Sequence, residues 1–510
     1  MSKVLFINPV VREEDSPKHV PYGMALLAAV AIDKGHQVAV YDANAWRQPL
    51  SKAADACRAD DWDVICIGGL TTTYGCIKQC FRIASESSPK SLLVAGGGFL
   101  TSMPKEMMEF IPEIDIGIVG EAYNTFIEVL DRNNEEYLFN ELSDRNDIKG
   151  IIYREDGEII LNDARPLILD LDTLPHPAWH LFPLEEVYFK NSSSLFSEDA
   201  YLAKRRIDIN GSYGCSLICR YCWHLGTTGD MAIKQNPTTD ENEVIFSYAR
   251  NIRYHSVDYI VDMVGRLKRD YGIDFANFLD ENLMTVHASS GKKFLFDLCE
   301  AWGRAGLLPR RGKSPQPGVF WSGTSHASLH SPEVLKSMYE AGCTHLVYGL
   351  ESFDPKVLKK MGKGTTRQKN IDSVGVCMKS GIIPIPNIII GFPEETFESI
   401  RNTITALIEL GIHAKPHFAT AYPGSEWYYN YKQSIIDQYS SLEDYILDLG
   451  DATKITGTIS TMFSGVELLG LQEIVTTRNL RLLDQFEAAY TPRPPLVTPE
   501  KSFNFKPSKN

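Results

Sequence analysis

The stretch Asn210-Gly-Ser-Tyr-Gly-Cys215-Ser-Leu-Ile-Cys219-Arg-Tyr-Cys222 places three cysteines at CxxxCxxC spacing. It follows Arg206–Asn210, an alternating run that predicts a short strand. Three thiolates can hold three corners of a four-iron, four-sulfur cluster, which usually has four cysteine ligands. The fourth iron would then keep an open coordination position, which is where a metal can bind a reactant. The count of three therefore indicates a catalytic cluster.

A zinc site is the main alternative that the spacing leaves open. His224 lies two positions after the third cysteine and could complete a set of four ligands. Zinc sites more often use pairs of CxxC motifs, however, and the chain contains no second CxxC. The spacing favours iron–sulfur over zinc but does not decide between them.

Composition narrows the class of protein. At 510 residues, 44% hydrophobic and 23% charged, the chain has the composition of a globular protein with two to four domains. A formal net charge of −14 argues against a nucleic-acid partner bound through a basic face. The ten cysteines show no disulfide framework, which favours the reducing cytoplasm.

A membrane or secreted location is not expected. No run approaches the roughly 18 apolar residues of a membrane-spanning helix. The apolar run within Met1–Pro9 is too short for a signal peptide. We therefore expect a cytoplasmic protein with no membrane span.

The first 145 residues alternate strand and helix patterns, which predicts a doubly wound, Rossmann-like parallel sheet. The predicted strands are Val4–Ile7, Val38–Tyr41, Val64–Ile67, Leu92–Ala95 and Ile116–Val119. In such sheets ligands bind at the carboxyl ends of the strands.

Small polar loops follow three of these strands and are candidates for binding a ligand. They contain Thr71, Thr72 and Thr73, then Gly96, Gly97 and Gly98, then Gly120 and Glu121. Glycine lets a backbone approach a ligand closely, although tight turns and helix caps would explain any single loop. The patterns GxGxxG and GxxxxGK[ST] are absent, so NAD and ATP are not indicated.

Four further regions complete the predicted domain organisation. Residues 146–200 are predicted to be a linker that contains a hairpin turning at Asp156-Gly157. Six strand–helix units in 201–435 predict a partial (β/α)6 barrel, with its active site at the carboxyl ends of the strands. Residues 436–490, with helical spacing in 442–449 and 468–486, predict a small helical C-terminal domain, and the proline-rich 491–510 predict a disordered tail.

The barrel motifs make the chain resemble the radical SAM enzymes. CxxxCxxC follows the first barrel strand, and later family blocks occur in order, namely Phe278-Leu-Asp-Glu-Asn282, Tyr348-Gly-Leu-Glu-Ser352, Lys363-Gly-Thr-Thr366 and Ile390-Gly-Phe-Pro-Glu-Glu-Thr396. The N-terminal loops resemble the cobalamin-binding domain that precedes many of these enzymes. The DxHxxG motif of other cobalamin proteins is missing, as is usual for this subgroup.

The resemblance implies three cofactors and candidate residues for each. Cys215, Cys219 and Cys222 would hold a [4Fe–4S] cluster, and the N-terminal glycine and threonine loops would hold cobalamin. S-adenosyl-L-methionine (SAM) would bind the open iron, with Tyr221 near its adenine, Asp280 near its methionine end, and Glu351 and Asn387 at its polar groups. The structural alternatives are a core aromatic for Tyr221, caps or turns for Asp280 and Asn387, and an ion pair for Glu351. Side chains that could line a substrate site are Trp223, His224, Trp321, His326 and His417, although a structural role is the expectation for each one taken singly.

Within the class that includes radical SAM methyltransferases and the anaerobic magnesium-protoporphyrin ester cyclase, methyl transfer is the activity we expect. A methyl group would pass from methylcobalamin, and ultimately from SAM, to an unactivated carbon of a small-molecule or natural-product substrate. The resemblance also implies an electron donor such as flavodoxin or ferredoxin. The alternatives are a radical cyclisation, rearrangement or oxidation with cobalamin in another role or absent, and an inactive iron–sulfur protein.

Overall fold

The computed structural model describes residues 1–134, 145–191, 194–222, 231–235, 242–246, 252–327 and 331–499, with only the backbone described for 231–235 and 242–246. The chain divides into two compact units. The first consists mainly of Met1–Ser192, together with His224–Arg250, and the second of Ser193–Trp223 and Asn251–Lys506.

Each predicted strand is present, and four further strands, Ser212–Tyr213, Met231–Gln235, Asn242–Phe246 and Arg253–Tyr254, were not predicted. The strands are β1 (Lys3–Asn8), β2 (Gln37–Asp42), β3 (Val64–Gly68), β4 (Leu92–Gly96), β5 (Ile116–Ile118), β6 (Ile151–Glu155), β7 (Glu158–Leu161), β8 (Arg206–Ile209), β9 (Ser212–Tyr213), β10 (Met231–Gln235), β11 (Asn242–Phe246), β12 (Arg253–Tyr254), β13 (Phe275–Phe278), β14 (Phe320–Ser325), β15 (Cys343–Glu351), β16 (Ile383–Ile390) and β17 (His417–Phe418).

The helices lie between these strands and after the last of them. They are α1 (Tyr22–Asp33), α2 (Ala43–Trp46), α3 (Ser51–Cys57), α4 (Tyr74–Ser87), α5 (Gly98–Ser102), α6 (Pro104–Phe110), α7 (Tyr123–Asn134), α8 (Glu198–Leu202), α9 (Val257–Tyr271), α10 (Leu283–Ser289), α11 (Phe294–Arg304), α12 (Pro332–Glu340), α13 (Pro355–Lys360), α14 (Arg367–Lys379), α15 (Phe397–Leu410), α16 (Glu426–Ile436), α17 (Leu442–Asp448), α18 (Gly465–Thr477) and α19 (Leu480–Ala489).

The first unit is built on a seven-stranded sheet in the order β2-β1-β3-β4-β5-β6-β7. The first five strands are parallel, which confirms the predicted doubly wound fold. Val4 and Val64 are fully buried because helices cover both faces of the sheet. The 2-1-3-4-5 order reverses between β1 and β3, and this switch point opens the crevice where such sheets bind ligands.

The hairpin β6–β7 continues this sheet instead of standing apart in a linker. β6 pairs antiparallel with β5, and β7 pairs antiparallel with β6. Asp156 and Gly157 both have positive φ, 49° and 86°, as the predicted turn requires. Part of the segment assigned to a linker, 146–200, therefore belongs to the sheet of the first unit.

The second unit contains a six-stranded sheet in the order β17-β16-β15-β14-β13-β8. All five pairings are parallel, which confirms the predicted partial barrel. The covering helices begin at side chains that satisfy their first N–H groups. Ser256 caps α9, and Thr396 caps α15 in a capping box with Ser399.

The C-terminal helices differ from the continuous helical spacing read over 468–486. The chain breaks into α18 and α19 because Arg478 takes a left-handed conformation at φ 52° and Asn479 then caps α19. Phe397 of α15 packs its ring on Phe463, Phe486 and Tyr490. The tail helices therefore belong to the same compact unit as the barrel. Of the predicted disordered tail, 500–510 lie outside the described residues.

Candidate active site

The three cysteines lie in the irregular loop that follows β8 and β9. Cys219 is buried, and Cys215 and Cys222 are half-buried. The backbone of Arg220 fixes the far side of the loop, since its N–H donates to Met361 O at 3.0 Å and its carbonyl accepts from Trp427 N at 3.2 Å. All ten cysteines of the chain are thiols, so the three in the loop are available as thiolate ligands.

The three thiols can serve as ligands of a multi-iron cluster. Among the described residues, no three His, Cys, Asp or Glu side chains converge so as to hold one metal ion. A four-iron cluster needs no such convergence because each thiolate binds a different iron. Trp223 and His224, the latter the fourth ligand of the zinc alternative, lie outside the described residues.

A buried network of three side chains stands next to the cysteine loop. Lys363 Nζ lies 2.8 Å from Glu351 Oε1 and donates to Tyr221 Oη at 2.8 Å. The Tyr221 hydroxyl donates to Glu351 Oε1 at 2.9 Å. The side chains of Lys363 and Glu351 are only 7% and 6% exposed, so solvent screens this ion pair little. Tyr221 and Glu351, both predicted site residues, are therefore in direct contact.

Electrostatics in this network keep its lysine charged. Burial lowers the pKa of Lys363, but the charges of Glu351, Cys219 and Cys222 more than offset burial and raise it overall. Burial and then the charge of Glu351 hold the pKa of Tyr221 well above its usual range. The network thus contains an ammonium, a carboxylate and a neutral phenol.

One carboxylate oxygen of Glu351 lacks a donor among the described residues. This atom, Oε2, is buried and accepts no hydrogen bond from them. The residue sits at a bulge at the end of β15 with φ 60°, an uncommon conformation for a side chain of this size. A Cβ on Gly349 would lie 2.5 Å from Glu351 Oε1 and 2.6 Å from Lys363 Nζ, so a larger residue there would displace the ends of both side chains. An unsatisfied buried acceptor of this kind fits a ligand that brings its own donor.

Asp280 is fully buried and bonds to the protein with both oxygens. Its carboxylate accepts the Gly211 N–H at 3.0 Å and the Ser212 hydroxyl. Burial raises the pKa of Asp280 to about 7 in spite of these bonds. The neighbouring Glu281 accepts the Gly214 N–H at 3.0 Å. Asp280 therefore holds the loop that precedes the cysteines by hydrogen bonds. Its contact with SAM stays a prediction.

Asn387 and His417 line a cavity of about 470 Å³ beside β16 and the segment before β17. Ala419 N donates to Ile390 O, so even-numbered residues of β16 turn their backbone groups towards β17. Pro384 and Pro386 have no N–H on that side, which ends the pairing and leaves the cavity open. Two of the predicted residues therefore share one cavity.

The other predicted substrate residues are structural in the described part of the chain. Trp321 is buried among Phe278 and Trp302, and its indole donates to Ala341 O at 3.0 Å. His326 is buried with Nε2 2.9 Å from Lys363 O. His326 therefore supports the lysine of the buried network instead of lining a substrate space.

The predicted cobalamin loops lie together at the carboxyl edge of the first unit's sheet. β3 and β4 end in register at Gly68 and Gly96. A Cβ on Gly68 would collide with the Gly96 carbonyl oxygen, and one on Gly97, at φ 96°, would lie 2.8 Å from Gly69 O. These glycines therefore permit close packing of two loops, while the position of a Cβ on Gly96 itself faces open space.

The remaining residues of these loops have contacts within the first unit. Thr71 and Thr73 are buried, Thr72 is half-buried, and Thr73 donates its hydroxyl to Leu70 O at 2.8 Å. Gly98 begins α5. The Gly120 N–H donates to Thr101 Oγ1, and Glu121 accepts the Ile168 N–H at 2.8 Å. Specific contacts of these residues with cobalamin stay predictions.

Lys363 and Glu281 are the site residues that sequence reasoning missed. Both stand inside the family blocks quoted above. Glu281 lies just after the end of β13, where its charge was the signal available, whereas Lys363 follows the helix α13. The sequence does not show that Lys363 contacts Glu351 or that Glu281 contacts Gly214, because the partners lie 12 and 67 positions apart in the chain.

Comparison with known proteins agrees with this geometry. Residues 209–407 match the model of the radical SAM superfamily, and residues 9–130 match that of the B12 binding domain. The chain is 34% identical to a candidate methylthiotransferase of Methanocaldococcus jannaschii, over 75% of this chain and 70% of that protein. It is 28% identical to an uncharacterized methyltransferase of Pyrococcus horikoshii, over 80% of this chain and 78% of that protein.

More distant similarities extend the comparison. The chain is 22% identical to the anaerobic magnesium-protoporphyrin IX monomethyl ester cyclase of Cereibacter sphaeroides, over 69% of this chain but only 50% of the cyclase. Among solved structures, it resembles the radical S-adenosylmethionine methyltransferase TsrM from Kitasatospora setae, with a TM-score of 0.63, 17% identity, and coverage of 86% of this chain and 75% of that one. At that identity the likeness concerns the fold.

Family models thus cover the two regions that carry the cysteine loop and the glycine edge, and the relatives extend the match over most of the chain. No helix in the described part of the chain is long and apolar enough to cross a bilayer. The chain is an enzyme of the radical SAM superfamily that carries an N-terminal B12-binding domain.

Proposed function

We propose that this enzyme is a cobalamin-dependent methyltransferase that methylates an unactivated carbon of a small-molecule or natural-product substrate. The combination of a B12-binding domain and a radical SAM domain in one chain supports this activity. Relatives named as methyltransferases, which match across most of this chain, support it further. TsrM, whose fold this chain shares, is a methyltransferase with cobalamin and a [4Fe–4S] cluster bound.

Cys215, Cys219 and Cys222 are the proposed ligands of the cluster. Their thiols lie on a loop whose backbone is held by hydrogen bonds on both sides, at Gly211 and at Arg220. When bound, the reduced cluster supplies the electron for reductive cleavage of SAM, and cobalamin carries the methyl group. An electron donor such as flavodoxin or ferredoxin would deliver that electron.

The single observation that carries the proposed SAM site is the unused oxygen of Glu351. A buried carboxylate oxygen without a donor is unfavourable by about 1–3 kcal/mol or more. The amino or hydroxyl groups of SAM are donors that would satisfy it, since an amine bound to iron keeps its N–H groups. Lys363 holds the other oxygen in place, which orients the unused one. Tyr221, bonded to both and one residue before Cys222, would bring the ligand close to the cluster.

The proposed cobalamin site is the carboxyl edge of the first unit's sheet. Two observations support this proposal, namely the switch point between β1 and β3 and the glycine residues that end β3 and β4. The loop residues that are not buried, and so have room for a contact, are Thr72, Gly96, Gly97, Gly98, Gly120 and Glu121.

A radical cyclase is the second candidate function, since cyclases occur among the relatives. The two functions leave different products from SAM. Methyl transfer gives S-adenosylhomocysteine, whereas reductive cleavage alone gives 5′-deoxyadenosine and methionine.

The test is an anaerobic incubation of the reconstituted enzyme with cobalamin, a strong reductant and SAM carrying a labelled methyl group. We expect S-adenosylhomocysteine to form in an amount at least equal to the enzyme, with loss of label from SAM. Formation of 5′-deoxyadenosine without any S-adenosylhomocysteine would reject methyl transfer and favour the second candidate. A C215A/C219A/C222A variant controls for degradation of SAM without the cluster.

A further inference from the structure

Two adjacent carboxylates at the end of β13 hold the backbone that leads into the cysteine loop. Asp280 accepts hydrogen bonds from Gly211 and Ser212, which lie before and within β9. Glu281 accepts the Gly214 N–H at 3.0 Å, directly before Cys215. Both carboxylates therefore act on the short stretch between β8 and the first cysteine.

The bond from Glu281 fixes a residue whose backbone has unusual freedom. Gly214 has φ 100°, in the region that glycine adopts readily and other residues avoid. A glycine without a tertiary contact could rotate and would swing the next residue with it. Because its N–H is bound to a carboxylate carried by the rigid end of a barrel strand, the direction in which the chain enters Cys215 is set.

Glu281 also places a negative charge one residue from a proposed cluster ligand. Reduction adds an electron to the cluster, so a nearby anion disfavours the reduced form. Hydrogen bonds and charges around a cluster are among the factors that set its potential. The same side chain thus has a geometric effect through Gly214 and an electrostatic effect through its charge.

We propose that Glu281 is a positioning residue for Cys215 whose charge lowers the reduction potential of the cluster, and that Asp280 holds the turn before it. The proposal rests on the cluster assignment under the proposed function. It assigns both carboxylates the role of holding the backbone before Cys215 by hydrogen bonds. It also predicts that the geometric and electrostatic effects of Glu281 can be separated by substitution.

The test compares Glu281→Gln and Glu281→Ala with the wild type in anaerobically reconstituted full-length protein. Glutamine keeps an oxygen that can accept the Gly214 N–H but removes the charge, whereas alanine removes both.

The matched control is Asp274→Asn. Asp274 lies directly before β13, at the end of the strand opposite to Glu281. It accepts the N–H groups of Lys204 and Arg205, which precede β8. The measurements are iron content, the electron paramagnetic resonance (EPR) spectrum with and without SAM, and the midpoint potential.

We expect E281Q to keep the iron content and the response of the EPR spectrum to SAM while its midpoint potential becomes less negative. We expect E281A to lose iron or to give a broadened spectrum, and D274N to match the wild type in all three measurements. An unchanged potential in E281Q together with wild-type iron and spectrum in E281A would overturn the proposal.

Two other results of these experiments also bear on the proposal. If E281A does not fold, the potential of E281Q alone decides, and a value equal to that of the wild type overturns the electrostatic role. If the wild type itself holds no cluster, the proposed function fails, which is a result distinct from the failure of this inference.

Discussion

Lys363 is the cation on which the buried carboxylate of Glu351 depends. The pair is nearly inaccessible to water, and Gly349 leaves just enough room for it. Burying two charges is unfavourable unless each keeps its partner and its hydrogen bonds. Here Tyr221 bonds to both members, so the ion pair is part of a network that ends at the cysteine loop.

Substitution of this lysine is therefore expected to be much more harmful than substitution of a lysine in a surface pair. We expect Lys363→Met to lower the free energy of unfolding by about 3–5 kcal/mol, because it leaves the Glu351 charge buried and unpaired. Denaturant unfolding of the cluster-free protein measures the change. Adding Glu351→Gln to the same chain should recover part of the loss, since the unpaired charge is then gone.

The control for this prediction is Lys360→Met. Lys360 pairs with Glu394 at 2.6 Å, and both side chains are more than half exposed. Exposed pairs contribute about 0–1 kcal/mol, so this variant should unfold nearly as the wild type does. Equal losses from the two lysine substitutions would contradict the interpretation of the buried network.

At the scale of elements, an acidic side chain holds the turn that follows two of the barrel strands, β8 and β16. At the end of β16, Glu395 is buried and accepts the Gly391 N–H at 2.5 Å. Burial raises the pKa of Glu395 to about 8. Its unfolded value is near 4.5, so between these two values the folded protein binds a proton that the unfolded chain does not.

This difference in proton binding predicts the sign of a pH dependence. The contribution of Glu395 to stability should fall as pH rises from about 4.5 to about 8, by an amount on the order of 2 kcal/mol between pH 6 and 8. Urea unfolding at both pH values measures it. Glu395→Gln should flatten this part of the profile, and Glu394→Gln, at the exposed neighbour, should not. A wild-type profile equal to that of E395Q would contradict the prediction.

The elements also show where sequence patterns were sufficient. Buried apolar runs predicted the parallel strands of both sheets, because burial on two faces demands such runs. The break between α18 and α19 was missed, since apolar spacing resumes after it, although Asn479 is of a residue type that often caps helices. The roles of Lys363 and Glu281 were missed for another reason, which is that hydrogen bonds between distant residues leave no local pattern.

At the scale of the whole molecule, the proposed cluster and cobalamin sites lie in different compact units. We expect the C215A/C219A/C222A variant to lose its iron yet bind cobalamin as the wild type does, because the glycine edge of the first unit contains none of these thiols. Iron analysis and the visible spectrum of bound cobalamin measure the two effects. If the variant lost both cofactors but kept the melting temperature of the wild type, the claim that the two sites are independent would be contradicted.

The central claim is that Cys215, Cys219 and Cys222 hold a cluster whose open iron binds SAM. Electron–nuclear double resonance of the reduced enzyme with SAM labelled with ¹⁵N at its amino group tests this most directly. We predict a strong ¹⁵N coupling, as direct iron–nitrogen bonding requires, that is absent in the triple-alanine variant. A reduced cluster whose spectrum does not change when SAM is added would contradict the claim.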